Sequence, residues 1–266
     1  LKKAGYDVSL IGINDVDDAM VGELYQFLLN EKQFANRTFN KVFGHHTSFF
    51  KWYSSEFNQP LRNVFEKVKR KKINPNPEII HRDEFKALLK SITPERGIKQ
   101  YPSGKKPKRI LYRPWLKDGI RLGLETGRRR EEIISLKFLD IKADPTGSEY
   151  IVVEDYKTNR IQKRTTKEEK KYIFIPVTES LRELLLDLGY EKFKGTDTYI
   201  LAPDVKISRT RIMSDALSKG FSHYYDQLDT GKKLTFKSLR KTYITNLSLY
   251  MGGNAKAITQ HSDDAV

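Results

Sequence analysis

The chain has 266 residues, of which 38% are hydrophobic and 31% are charged, and its net charge is +15 with a pI near 9.6. It contains no cysteine, which excludes disulfides and thiolate metal sites. No apolar run approaches the roughly 18 to 20 residues that span a bilayer, and no signal-peptide pattern opens the sequence. The excess of Lys and Arg favours a polyanionic partner, because each neutralised phosphate releases condensed counterions. A basic protein that binds no polyanion is the alternative.

The first part of the chain, residues 14–72, is predicted to be helical. Asn14 or Asp15 can cap a first helix, in which apolar residues recur every three to four positions. A second helix is predicted to follow Asn36. Its apolar stripe is expected to be core and consists of Phe39, Val42, Phe43, His46, Phe50, Tyr53 and Phe57. A third helix is predicted over residues 61–72.

A proline-rich break at residues 73–77 (INPNP) is predicted to separate two domains. Two prolines with asparagines keep the backbone extended and end helices on either side. The predicted domains are residues 1–75 and 76–266. Residues 1–79 hold 12 basic and 9 acidic residues, whereas the remainder holds 37 and 25. Most of the positive excess therefore belongs to the second domain.

The second domain is predicted to be mainly helical with a small antiparallel β-sheet, an α+β fold. Two runs rich in Ile, Val, Tyr and Phe are predicted strands, at residues 149–157 and 171–177. The predicted helices are residues 81–90, 115–125, 130–137, 179–188, 209–228 and 238–251. Two long basic stretches, residues 99–113 and 158–170, connect these elements.

Three local patterns in this domain hold residues that could act on a phosphate. Residues 126–132 (TGRRREE) span the junction of two predicted helices, where Gly127 permits the turn. Consecutive arginines splay to different faces, so at most two of the three can point at one ligand. Lys157 ends the first strand, and Lys237 shares a helix face with Arg240 because they lie three positions apart. Each pattern alone is also consistent with a solvated basic surface.

In their order along the chain, these patterns resemble the tyrosine recombinase family of phage and mobile-element integrases. Residues 126–138 are similar to its T-G-L-R-x-x-E-hydrophobic-x-x-L-x-W segment, and residues 236–240 (FKSLR) to its H-x-L-R segment. Residues 259–261 (TQH) resemble its L-G-H segment. The resemblance covers most of residues 80–266. Residues 14–72 are similar to the family's helical core-binding domain, without a counterpart of its usual first helix.

The resemblance implies a role for each matched position. The implied catalytic residues are Arg129, Lys157, Lys237, Arg240 and His261, with Glu132 in support. The two arginines would clamp the phosphate, and the lysine at the strand end would protonate the departing 5′ oxygen as general acid. The other lysine and the histidine would hold or relay protons, and the glutamate would orient a cation. No metal or other cofactor is expected, because the arginines take the Lewis-acid role.

Three positions depart from the family pattern without removing a charge from the site. Arg128 stands where leucine is common, and Phe138 where tryptophan is frequent. Lys237 occupies the usual histidine position. A lysine there keeps a cationic donor near the phosphate but is a poorer proton acceptor at neutral pH.

The family's nucleophilic tyrosine is absent from this chain. It follows the late histidine by two to three helical turns in the family, and no tyrosine follows His261 here. We expect the nucleophile beyond residue 266, so that the 266-residue chain itself is inactive. Tyr243 and Tyr250 share the helix of the second arginine and are expected to be packing residues.

Basic and polar residues outside the catalytic set are candidates for contacts with DNA. They are Arg37, Asn40, Lys41, Lys105, Lys106, Lys108, Arg160, Lys163 and Arg164. The resemblance implies double-stranded DNA as the substrate and a homotetramer on DNA formed by synapsed dimers. It also allows for accessory DNA-bending proteins, and it implies no membrane partner and a cytoplasmic location at the bacterial nucleoid.

The leading hypothesis is a site-specific recombinase or integrase that cuts and rejoins DNA through a 3′-phosphotyrosyl intermediate. The alternative is a non-catalytic DNA-binding regulator that keeps the recombinase fold. An RNA-binding module has less support, because no aromatic-rich recognition motif is present. The joint presence of both arginines, Lys157 and His261 favours the enzyme, since a binding protein does not need the full set.

Overall fold

The structure is a computed structural model that describes residues 5–74, 76–100, 108–156, 159, 170–205 and 208–251. The chain divides into two units, Leu1–Asn76 and Pro77–Val266. Helices predominate, and the chain also contains a small antiparallel sheet, so the predicted fold class is confirmed. None of the helices within the described residues is both long and apolar enough to span a membrane.

Two helices build the core of the first unit. Helix α1 (Asp18–Gln26) continues into a π turn (Phe27–Glu31), and α2 follows (Asn36–Glu56). The apolar stripe of α2 faces the core, where Phe39 and Phe43 are buried with their rings 4.7 Å apart. The three-to-four-residue spacing of apolar residues therefore predicted the buried face of α2 correctly.

The prediction of a third helix over residues 61–72 is wrong, because only a 3₁₀ turn (Val64–Lys67) forms there. Val64 and Phe65 are buried in the core, and the chain beyond the turn is irregular. Four successive basic side chains repel one another and provide no apolar face for a helix to bury. Phe57 is also not core, since it follows the end of α2 and is 53% exposed.

The cap of α1 leads to a prediction for the stability of the first unit. The Asp17 side chain accepts the Met20 N–H at 2.8 Å and satisfies a donor that the first helical turn leaves free. The cap lies later than predicted, since Asp15 instead accepts from Gly12 at 2.7 Å. Asp17→Ala is expected to lower the free energy of unfolding by about 1 kcal/mol, measured by urea denaturation. Asp17→Ser keeps an acceptor and should retain most of that stability; an equal loss in both variants would contradict the capping role.

The second unit contains helices and short strands, with 3₁₀ turns at Glu95–Gly97 and Phe138–Asp140 and a π turn at Arg209–Met213. Its helices are α3 (Arg82–Ser91), α4 (Leu116–Thr126), α5 (Arg130–Ile133), α6 (Glu179–Asp187), α7 (Tyr190–Phe193), α8 (Ser214–Asp226) and α9 (Phe236–Tyr250). Its strands are β1 (Ile98–Lys99), β2 (Arg109–Ile110), β3 (Ile141–Ala143), β4 (Glu149–Glu154) and β5 (Tyr172–Pro176). The β1–β2 pair and β3 were not predicted.

Helix α5 is shorter than predicted, because it ends at Ile133 rather than continuing to residue 137. The residues after it pair with a distant part of the chain instead. The Leu136 carbonyl accepts the Ile200 N–H at 2.9 Å, and Lys137 forms an isolated β-bridge with Tyr199. The local sequence does not reveal the pairing with residues 199–200, so the predicted helix is too long at its C-terminal end.

Strands β3, β4 and β5 form an antiparallel sheet with β4 in the centre. Ile151 lies opposite Ile141 on one side and Ile175 on the other. Ile151 and Ile175 are buried, whereas Phe174 on the other face is 55% exposed. The alternation places one face of the sheet on the core of the second unit.

Helix α4 lies at the centre of the second unit and packs against α6, α8 and α9. Two glycines one turn apart on α4 permit close packing. A Cβ at Gly119 would lie 2.5 Å from Leu217 of α8, and one at Gly123 would lie 2.9 Å from Phe236 of α9. This close approach brings the start of α9 to the C-terminal end of α4, where the candidate site lies.

Candidate active site

The site is built around the turn that joins α4 to α5. Gly127 has a φ of +60°, in the left-handed region that favours glycine. Thr126 is fully buried, and its hydroxyl donates to the Leu122 carbonyl at 2.5 Å. The same hydroxyl accepts the Arg128 N–H at 3.3 Å. These bonds fix the backbone from which the three consecutive arginines extend.

Arg129 is held by two carboxylates. Its Nη1 donates to Glu132 at 2.7 Å and to Asp155 at 3.2 Å. The Glu132 carboxylate also accepts the backbone N–H of Arg129 at 3.0 Å, at the start of α5. Glu132 is buried, whereas the Arg129 side chain is 35% exposed. The carboxylates therefore fix the direction of a guanidinium that stays accessible on one side.

Asp155 is a member of this cluster that sequence reasoning missed. It follows β4, and its backbone N–H donates to the Lys171 carbonyl at 3.0 Å. Its side chain is largely buried where it meets Arg129. The available signal was a pair of adjacent acidic residues, Glu154 and Asp155, between an apolar strand and a basic stretch.

Helix α9 brings Arg240 to the same turn. Its Nη1 donates to the Gly127 carbonyl at 2.8 Å. Burial, together with the positive charges of Arg128 and Arg129, lowers the pKa of Arg240 to about 10. The group is therefore still protonated at neutral pH. Arg129 and Arg240, which are far apart along the chain, thus lie in one electrostatically coupled cluster.

The other two arginines of the turn have different environments. Arg130 leaves the cluster, and its Nη1 donates to Ser218 of α8 at 2.6 Å. Arg128 is 2% exposed, and its Nε donates to the Thr126 carbonyl at 3.1 Å. Burial lowers the pKa of the Arg128 guanidinium, and its two Nη atoms have no hydrogen-bond partner among the described residues. Its burial was not predicted from the sequence.

Tyr243 packs on this turn from α9, as expected. Its ring occupies the space next to Gly127, where an added Cβ would lie 2.2 Å from a ring carbon. Burial raises the pKa of the Tyr243 hydroxyl, which opposes a nucleophilic role. The prediction that Tyr250 packs is wrong, because it is 90% exposed in the last turn of α9.

The remaining predicted catalytic positions are only partly within the described residues. Lys237 is exposed in the first turn of α9, three positions before Arg240. Lys157 and His261 lie outside the described residues, as do five of the predicted DNA contacts. These five are Lys105, Lys106, Arg160, Lys163 and Arg164.

Four predicted DNA contacts can be located. Arg37 and Lys41 are exposed on α2, and Lys108 is exposed just before β2. Asn40 differs from them, because its side-chain amide donates to the Lys71 carbonyl and accepts the Lys71 N–H, both at 2.8 Å. Asn40 therefore ties the basic segment after the 3₁₀ turn to α2, a structural role that sequence reasoning did not predict.

Comparisons with known proteins show similarity at the level of three-dimensional structure. No family model and no curated protein match the chain. A lambda integrase (75-356) dimer bound to a COC′ core site matches at 16% identity and a TM-score of 0.63, over 95% of this chain and 81% of that one. A lambda integrase tetramer bound to a Holliday junction matches at 16% identity and a TM-score of 0.61, over 95% of this chain and 66% of that one. XerH site-specific recombinase bound to difH substrate matches at 16% identity and a TM-score of 0.60, over 96% of this chain and 67% of that one. The chain thus spans about two thirds of the longer of these proteins.

Proposed function

Because this chain has the fold of the tyrosine recombinases, we propose that it belongs to a site-specific DNA recombinase that cuts and rejoins strands through a 3′-phosphotyrosyl intermediate. The observation that carries the proposal is the meeting of Arg129 and Arg240 at the Gly127 turn. Two guanidinium groups from distant parts of the chain, Arg129 oriented by two carboxylates and Arg240 by a backbone carbonyl, are suited to hold one phosphate.

The proposed reaction begins with attack of a tyrosine oxygen on a backbone phosphate, which adds negative charge to the non-bridging oxygens. Arg129 and Arg240 stabilise that charge, and their contacts with Glu132 and Gly127 hold them in place before the reaction. The phosphorus–oxygen bond to the 5′ side breaks as the new bond to tyrosine forms. Lys157 gives its proton to the departing 5′ oxygen.

The remaining steps involve residues outside or at the edge of the cluster. The phenolic proton passes to His261, and Lys237 contributes a further cationic donor near the phosphate. The nucleophilic tyrosine is proposed to lie beyond residue 266. Religation reverses these steps, with a 5′ hydroxyl attacking the phosphotyrosyl bond, so that the energy of the broken bond is retained.

Duplex DNA is the proposed partner, and the two units are proposed to be a core-binding domain and a catalytic domain. The structural neighbours include a dimer on a core site and a tetramer on a Holliday junction. We extend that assembly to this chain as a homotetramer of synapsed dimers, with accessory DNA-bending proteins as further partners. Such a protein acts on chromosomal DNA in the bacterial cytoplasm.

The affinity for duplex DNA is expected to depend strongly on salt. If about eight phosphates are neutralised, the logarithm of the association constant should fall with the logarithm of salt concentration with a slope near −7. Fluorescence anisotropy with a labelled duplex measures this slope. A slope shallower than about −2 would argue against duplex binding of this kind.

A matched pair of variants on α2 makes the salt measurement specific. Lys41→Ala removes an exposed cation and should make the slope shallower by about 0.9. Thr38→Ala changes an exposed neutral neighbour and should leave the slope unchanged. Equal slopes for the two variants would remove Lys41 from the DNA-binding surface.

The reaction itself is tested by incubating the full-length natural protein with DNA that carries a nick near the cleavage site. A denaturant-resistant protein–DNA adduct supports the recombinase. Salt-dependent DNA binding without any adduct would instead support the non-catalytic regulator.

A further inference from the structure

Arg128 is a buried cation with unused hydrogen-bonding capacity. It is 2% exposed, its Nε donates to the Thr126 carbonyl, and neither Nη atom has a partner among the described residues. Buried polar groups in folded proteins are nearly always hydrogen-bonded, and a buried charge without a partner is costly. The position therefore requires an explanation beyond packing.

The same unit contains an arginine that shows how the fold satisfies a structural guanidinium. Arg209 donates from all three nitrogens to the backbone carbonyls of Ile134, Leu201 and Ala202. It also stacks on the Tyr199 ring, with its guanidinium carbon 3.9 Å from the ring centroid. Arg128 has one such bond to the described residues in place of three. The two arginines therefore differ in how far the described part of the fold satisfies their nitrogens.

The charges around Arg128 indicate the sign of that ligand. Arg128, Arg129 and Arg240 are electrostatically coupled to two carboxylates, Glu132 and Asp155. Both carboxylates already accept a hydrogen bond from Nη1 of Arg129. Among the described residues of this cluster, three guanidinium groups face two carboxylates, which leaves one positive charge uncompensated. A phosphodiester carries one negative charge and oxygen acceptors.

We propose that Arg128 is a third phosphate ligand, whose two Nη groups donate to the phosphate held by Arg129 and Arg240. The identification of that phosphate as one of DNA rests on the proposed function. The side chain of the neighbouring Arg129 is 35% exposed, so a phosphate can contact the cluster at that residue. A leucine, which the resemblance places at this position, has no donor to offer. This chain therefore supplies one more guanidinium than the two that its sequence motifs indicate.

Inorganic phosphate tests the proposal without DNA or cleavage. Wild-type protein should unfold at a higher temperature in phosphate than in chloride of equal ionic strength, and a titration gives the phosphate Kd. Arg128→Leu should weaken phosphate binding about ten- to hundredfold, the effect of losing a hydrogen bond to a charged group. It should also raise the Tm in chloride, because it removes two buried Nη groups that have no partner among the described residues. Unchanged phosphate affinity in Arg128→Leu would overturn the proposal.

Two further variants separate a ligand role from a change in charge or folding. Arg121→Leu removes the same charge from α4, where Arg121 pairs with Asp187 at 3.1 Å, and should bind phosphate as wild type does. A loss equal to that of Arg128→Leu would overturn the proposal. Arg128→Lys keeps the positive charge but lacks the two Nη groups of a guanidinium, and it should bind phosphate more weakly than wild type. If Arg128→Leu does not fold, wild-type affinity in Arg128→Lys would overturn the proposal instead.

DNA binding distinguishes this inference from the proposed function. Arg128→Leu should make the salt slope shallower by about 0.9, whereas Arg121→Leu should not change it. An unchanged slope in Arg128→Leu would remove Arg128 from the DNA phosphate. If Arg128→Leu shows these effects but the full-length natural protein forms no covalent adduct, the recombinase proposal is contradicted and the proposal of Arg128 as a phosphate ligand is retained.

Discussion

Arg240→Ala is expected to abolish the covalent protein–DNA adduct while weakening DNA binding only modestly. Arg240 is fixed to the Gly127 carbonyl and stays protonated at neutral pH despite its burial. Its proposed work is to stabilise charge that develops during the reaction, for which removal of one donor costs roughly a hundred- to thousandfold in rate. In the proposed binding mode it would be only one of about eight phosphate contacts. Adduct formation by the full-length protein on nicked DNA, measured on denaturing gels, is compared with anisotropy on the intact duplex.

Two control variants sharpen this comparison. Arg130→Ala removes a neighbouring arginine that bonds to Ser218 outside the cluster, and adduct formation should continue. Tyr243→Phe removes a phenol that is electrostatically coupled to Arg128 and Arg240, and an adduct should still form because the nucleophile is proposed to lie beyond residue 266. If Arg240→Ala lost binding and adduct formation equally, Arg240 would be a binding or folding residue.

Gly127→Ala is expected to lower the free energy of unfolding by about 2–5 kcal/mol and to slow adduct formation. The left-handed backbone at φ +60° costs a non-glycine residue about 1–2 kcal/mol. The new Cβ would also lie 2.2 Å from the Tyr243 ring, and repacking a crowded core adds about 1–3 kcal/mol. The rate falls because the Gly127 carbonyl positions Arg240. Urea denaturation gives the stability, and the adduct assay gives the rate.

Gly147→Ala is the matched control for the backbone contribution. Gly147 has a φ of +86°, but no atom lies within 4 Å of its added Cβ, so only the cost of about 1–2 kcal/mol should appear. Adding Tyr243→Ala to Gly127→Ala should relieve the clash, so that the two changes are not additive. Equal losses in Gly127→Ala and Gly147→Ala would show that the Tyr243 ring does not confine the turn.

Sequence periodicity was sufficient to predict most of the helices and the two long strands. The core of α2 and the strand pair around Ile151 and Ile175 follow directly from apolar spacing. The errors occur where the outcome depends on distant partners. Residues 61–72 have helical spacing, but only a 3₁₀ turn forms around the buried Val64 and Phe65, and the basic residues that follow are irregular. The chain after Ile133 pairs with Tyr199 rather than continuing α5.

The candidate site could be predicted only where its residues lie in local motifs. Arg129, Glu132 and Arg240 were identified from short patterns and their order along the chain. The contact of Asp155 with Arg129 depends on how β4 meets α5, which no local pattern describes. The burial of Arg128 is contrary to the usual exposure of arginine, so composition and propensity predict the opposite of what the fold does.

The close packing of α9 against Gly123 has a consequence for protein synthesis. A nascent chain that has completed α4 and α5 already carries Arg129 and Glu132, but Arg240 is still to be made. Such a chain would offer a backbone phosphate only half of the proposed clamp. In the proposed recombinase, strand cleavage would therefore require that α9 has been made and has docked on α4, in addition to the nucleophile proposed to lie beyond residue 266.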